Sequence, residues 1–162
     1  MDTPRWLDAR EDRAWRGYRR MRRLLDLELA RELTQDAGLS EADYDVLSDL
    51  SETPQGRLRL RELADRMLWS RSRLSHHLTR MQQRGLVTRE ECADDARGSV
   101  VALTPAGRQA IESAAPGHVA AVRRHLIDLL TPAEVDALGA LTHRVVDHLG
   151  GRAPRPRHDA EV

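Results

Sequence analysis

The sequence predicts a mainly α-helical chain with one small β-hairpin, a lobe of short helices framed by long helices at both ends. Three observations carry this. Apolar residues recur at steps of three and four through most of the chain, that rhythm gives way once, between Leu86 and Leu103, to two short β-branched runs, and capping signatures precede several of the periodic stretches. A length of 162 residues suits one domain, expected over residues 1–150, and suffices to bury a core.

Trp15, Tyr18, Met21, Leu25, Leu29 and Leu33 mark one face of a long first helix that Gly38 breaks. Ser40 followed by Asp43 caps a second helix with Tyr44, Leu47 and Leu50 on one side. Ser51 to Arg57, with Pro54 and Gly56, reads as a loop. A third helix presents Leu60, Leu63, Ala64 and Met67; after Leu68-Trp69-Ser70 a fourth presents Leu74, Leu78 and Met81 until Gly85. Leu86-Val87-Thr88 and Ser99 to Leu103 form the hairpin around the turn-rich Ala93 to Gly98. Thr104-Pro105 opens a fifth helix with a stripe of Val119, Val122, Leu126 and Leu130, which Pro116-Gly117 is expected to kink or interrupt. Thr131 to Glu134 is a capping box, and Val135, Leu138, Leu141, Val145 and Leu149 line a sixth helix ending at Gly150. The Pro- and Arg-rich residues 151–162 read as a disordered tail.

Acidic and basic residues balance at 26 each, which excludes a strongly cationic coat protein and leaves local distribution to decide. Thr34 to Gly56 holds six acids and no base; Arg66 to Arg89 holds six arginines and no acid. Solvated helix faces usually mix signs, so the basic segment points to an anionic partner. No apolar run is long enough to span a membrane, the start lacks an apolar leader, and a single cysteine forms no internal disulfide framework, so a cytoplasmic protein is expected.

Helix, turn, helix and hairpin is the winged helix-turn-helix order, and the basic segment falls on its second helix. A helix fits the major groove of duplex DNA. Ser70 to Arg80 supplies the chemistry: Arg71 and Arg73 for guanine edges or phosphate, Ser70, Ser72 and Ser75 as small hydrogen bonders, His76 and His77 as donors, Arg80 toward the backbone. Leu63-Ala64-Asp65-Arg66, Ser70 to Ser75, Arg84-Gly85-Leu86-Val87, Asp95-Ala96-Arg97 and Leu103-Thr104-Pro105-Ala106-Gly107 together resemble the multiple-antibiotic-resistance regulator (MarR) family of bacterial transcription factors over roughly residues 11–150. The turn Leu68-Trp69 departs from it in lacking the glycine often found there. The resemblance implies that Arg97 enters the minor groove from the wing, that Asp95 holds the hairpin, that residues 40–104 bind DNA, and that helices within 11–35 and 104–150 join two chains. It also implies an effector pocket between the lobes, for which Trp15, Tyr18 and Tyr44 are candidates, with Trp6 and Trp69 as further aromatics.

The expected function is a homodimeric, sequence-specific regulator, a repressor relieved by a small ligand, binding a pseudo-palindromic operator. Two other readings stand beside it: a protein-interaction module docking an acidic surface through the same helix, and a small-molecule binder with a vestigial DNA motif. No cofactor is expected. A sensor role for Cys92 would need a lowered pKa and a resolving partner, and His118, His125, His143 and His148 read as solvated or interface residues rather than metal ligands. No arrangement of nucleophile and base or phosphate-binding loop is present, so no enzyme is expected.

Overall fold

A computed structural model describes residues 4–91 and 99–150. Its elements are α1 (Ala9–Ala37), α2 (Glu41–Ser51), β1 (Arg57–Arg59), α3 (Leu60–Met67), α4 (Arg71–Gln83), β2 (Val87–Glu91), β3 (Ser99–Leu103), α5 (Pro105–His125), a 3₁₀ turn (Ile127–Leu129) and α6 (Pro132–Gly150). The mainly α architecture with a small antiparallel sheet is the one expected. Cys92, Asp95, Arg97 and the tail 151–162 lie outside the described residues.

The expected caps form. Ser40 and Asp43 bond reciprocally at the start of α2, Thr104 Oγ1 accepts from the Gly107 N–H, and Glu134 returns to the Thr131 N–H at the start of α6. The first helix begins earlier than its apolar stripe, because Asp8 and Glu11 form a capping box of their own. Gly38 ends it in the left-handed conformation, its N–H bonded to the Thr34 carbonyl.

Two expectations are corrected. Part of the stretch read as a loop contributes a strand: β1 pairs antiparallel with β3, Leu58 opposite Val101, giving the sheet order β1-β3-β2. And Pro116 does not interrupt α5, one of the two outcomes expected of it: the helix continues through it from Pro105 to His125. A proline there removes one backbone bond, at about 3 kcal/mol, but Ile111, Ala114 and Ala121 are buried where α5 packs on α1 and α2, and this packing holds the helix. Those residues, not the expected Val119, form the buried face. Val119 is exposed, and Leu126 and Leu130 fall beyond the helix.

The core sits in the lobe built by α2, α3, α4 and the sheet, around Leu47, Leu50, Leu63, Leu74, Leu78, Met81, Val87 and Val101. Outside it, α1 buries only Leu33 and α6 buries no residue.

Candidate nucleic-acid interface

The helix that the sequence marks as basic is set by the turn before it. Leu68 takes a left-handed conformation, φ 54°, where a glycine is ordinarily needed, and the Trp69 N–H reaches back to the Ala64 carbonyl at 3.0 Å. Ser70 then caps α4, its hydroxyl accepting from the Arg73 N–H at 3.2 Å. The missing glycine therefore strains the turn without undoing it.

At 100° per residue, Leu74, His77, Leu78 and Met81 share one face of α4, and all four are buried. The opposite face carries Ser72, His76, Thr79 and Gln83, all exposed, with Arg73 and Arg80 along one edge and Arg71, Ser75 and Gln82 along the other. No acid lies on the helix. Such a face presents donors and small hydroxyls flanked by guanidinium groups, the chemistry that base edges and phosphates can accept. Thr79 and Gln83 belong to it and escaped the sequence reading.

His77 requires a correction. Expected to donate to DNA, it is 6% exposed and faces α2. Its Nε2 lies 3.2 Å from Asp43 Oδ1, and its Nδ1 lies 3.0 Å from Arg80 Nη2. A guanidinium only donates, so Nδ1 accepts and the ring proton sits on Nε2, toward the carboxylate. Burial pushes the imidazole below the ordinary histidine value; Asp43 pulls the other way, and Arg80 adds to the lowering. Asp43 is the hub. Burial alone would raise its carboxyl, but the Ser40 N–H and the Arg84 guanidinium, 2.7 Å from Oδ2, hold it below the usual carboxylate range. Arg84 also donates to the Gly38 carbonyl at 2.9 Å. Asp43 thus caps α2 and ties α4 to it.

On the other edge, Arg89 of β2 donates to Ser75 Oγ at 3.0 Å, fixing the wing strand against α4, and Arg57 of β1 pairs with Glu90. The wing is fastened at its base as well. Thr104 Oγ1 donates toward the Gly85 carbonyl at 2.6 Å, and Gly107 packs so closely that a Cβ would stand 1.9 Å from the Leu86 carbonyl oxygen.

The candidate ligand residues are not gathered. Trp15 and Tyr18 stack on each other on an exposed stretch of α1, while Tyr44 on α2 packs against His118 with ring centroids 4.3 Å apart. A small cavity of about 50 Å³ between α1 and α5, lined by Leu29, Glu32, Asp36, Ser113 and His118 among others, begins at Leu29, about 16 Å along α1 from Tyr18. His125 is held by Glu32 at 2.7 Å, and among the described residues no cluster suited to a metal occurs. Among the described residues no helix is long and apolar enough to cross a membrane.

Similarity to known proteins bears on this surface. The model of the MarR family matches residues 37–98, from the end of α1 into the wing. AbsC of Streptomyces coelicolor, a MarR family transcriptional regulator, is 42% identical over 91% of this chain and 99% of its own, with a TM-score of 0.87. This chain belongs to the MarR family. As a MarR family protein it is a DNA-binding transcription regulator. Sco3205 of the same organism, a MarR family regulator solved in complex with DNA, is 42% identical over 92% of this chain and 93% of its own, with a TM-score of 0.87. A mutant of Escherichia coli MarR complexed with operator DNA, 23% identical over 81% of this chain and 91% of its own, shares the fold at a TM-score of 0.72.

Proposed function

We propose that this MarR family protein works as a cytoplasmic homodimer whose two α4 helices read a pseudo-palindromic operator, repressing transcription until a small ligand relieves it. The observation that carries the reading is the outward row Ser72, His76 and Thr79 on α4, edged by Arg71, Arg73 and Arg80 and set on a fully buried stripe. One helix reads only a few base pairs; two, set one turn of DNA apart, combine their free energies.

Residues 40–104 act as the DNA-binding lobe, with Ser70 positioned as a cap, Ser75 shared with the wing, Arg97 reaching the minor groove and Asp95 steadying the turn around it. Helices within 11–35 and 104–150 supply the dimer contact. Met21, Leu24 and Leu27 of α1 and Leu141, Val145 and Leu149 of α6 are exposed in the single chain, and a second copy covers such faces by symmetry. The cavity between α1 and α5 is far smaller than the several hundred Å³ of a drug-sized site. A ligand of that size therefore needs α1 and α5 to part or the second copy to add walls.

Selection of bound sequences from a random duplex pool tests the proposal. It predicts inverted half-sites about 10 base pairs apart, with affinity falling steeply as salt rises. Recovery of single asymmetric half-sites, or of no preferred sequence, would overturn it.

A further inference from the structure

We infer that Trp69 is a positioning residue for DNA reading: its indole face holds the Arg73 guanidinium in place before the duplex arrives. The inference rests on the assignment of Arg73 to DNA made above. Arg73 Cζ lies 3.8 Å from the Trp69 ring centroid, well inside the reach of a cation–π contact, and among the described residues the guanidinium makes no hydrogen bond or ion pair. Stacking occupies the face of the guanidinium and leaves its five N–H donors free at the rim, where guanine O6 and N7 or a phosphate would meet them.

The indole is itself fixed from behind. Its main chain is set by the left-handed Leu68, and its ring meets the His77 ring edge to face, centroids 5.5 Å apart at 80°. His77 is bonded to Arg80 and packed 3.2 Å from Asp43, which is itself bonded to Arg84. A continuous run of contacts therefore leads from α2 through His77 and Trp69 to Arg73, at the edge of the reading face. An unrestrained arginine surrenders its rotamer freedom on meeting a base, whereas one already stacked has surrendered much of it in the free protein. Trp69 touches no base in this scheme; it sets where the donors of Arg73 stand.

The experiment measures affinities of the full chain for its selected operator, for operators altered one base at a time, and for random duplex. Trp69→Leu, which keeps apolar bulk and removes the π face, is expected to weaken operator binding about tenfold. It should flatten preference at the same base position that Arg73→Ala flattens, and leave the salt slope unchanged. Trp69→Phe should recover most of the loss, and in an Arg73→Ala chain Trp69→Leu should cost nothing further. Equal losses in both backgrounds, or equal behaviour of the Leu and Phe variants, would overturn the inference by showing that Trp69 acts only through folding. A wild-type chain without preference for any duplex would overturn the reading of Arg73 and the inference with it, and it is distinct from those outcomes, in which wild-type preference persists.

Discussion

Leu47, Leu50, Leu63, Leu74, Leu78 and Met81 are fully buried in the winged lobe, whereas α6, whose apolar residues recur just as regularly, buries none. Both regions carry the pattern of an amphipathic helix, but only one buries its apolar face within the chain. The winged lobe also ties its polar groups together, with Asp43 bonded to Ser40 and Arg84, His77 Nε2 buried 3.2 Å from the same carboxylate, and Arg89 bonded to Ser75. The α4 surface is thus assembled and stiffened within one chain, whereas the apolar faces of α1 and α6 stay exposed in it, as the proposed dimer requires.

The same substitution made in the two regions should break this comparison most visibly. Gly107→Ala drives a Cβ into the Leu86 carbonyl, backbone against backbone, and should cost about 3 kcal/mol or more. Gly139→Ala, at a position on α6 with open space around it, should stabilise the helix by about 0.5–1 kcal/mol. Denaturant melts of both variants check the opposite signs. A destabilised Gly139→Ala chain would mean that α6 packs closely against another surface at that point.

Acidity should next single out His77, because the lowered carboxyls, Asp43 in the winged lobe and Glu32 between α1 and α5, both lose their contributions only at lower pH. His77 has a folded pKa below its unfolded value of 6.5. The stability it contributes is whole above that pH and is lost as pH falls through it toward the folded value. Glu32, lowered from 4.5 chiefly by its hydrogen bond to His125 between α1 and α5, contributes above that value and loses its part only at lower pH. Unfolding free energy followed by denaturant titration should therefore fall below about pH 6.5, and His77→Gln should remove that upper slope while leaving the lower one. A slope unchanged by His77→Gln would contradict the arrangement around Asp43.

Helices and hairpin were legible because caps and apolar spacing are local. β1 was not, since Arg57-Leu58-Arg59 becomes a strand only by pairing with β3, more than forty residues away in sequence. Proline 116 read as a breaker because its local cost is visible and the packing of α5 that offsets it is not. The burial of His77 did leave a signal: with Leu74, Leu78 and Met81 it completes the i, i+3, i+4, i+7 positions of one helical face. Asp43 showed its capping role in sequence, while its ties to His77 and Arg84 join residues far apart in the chain. Trp69, Arg73, His77, Arg80 and Arg84 fall at steps of three and four, a row that aromatic and basic types alone would not single out.

A smaller effect sharpens the account of the winged lobe. Leu68 is 86% exposed and held at a positive φ, so Leu68→Gly should relieve strain, lose little packing and raise stability by about 0.5–1 kcal/mol. A calorimetric melt that moves downward would show that the leucine side chain contributes to the turn.

Sedimentation equilibrium of the full chain and of a Leu141→Asp, Val145→Asp double variant tests the contrast between the two regions most directly. The account predicts twice the chain mass for the wild type and a single chain for the variant. The variant should stay folded, with its α4 surface intact, and bind the full operator at least about a hundredfold more weakly, since loss of the second half-site contacts costs several kcal/mol. A wild-type chain that sediments as a folded monomer, or a double variant that still pairs and binds the operator undiminished, would contradict it.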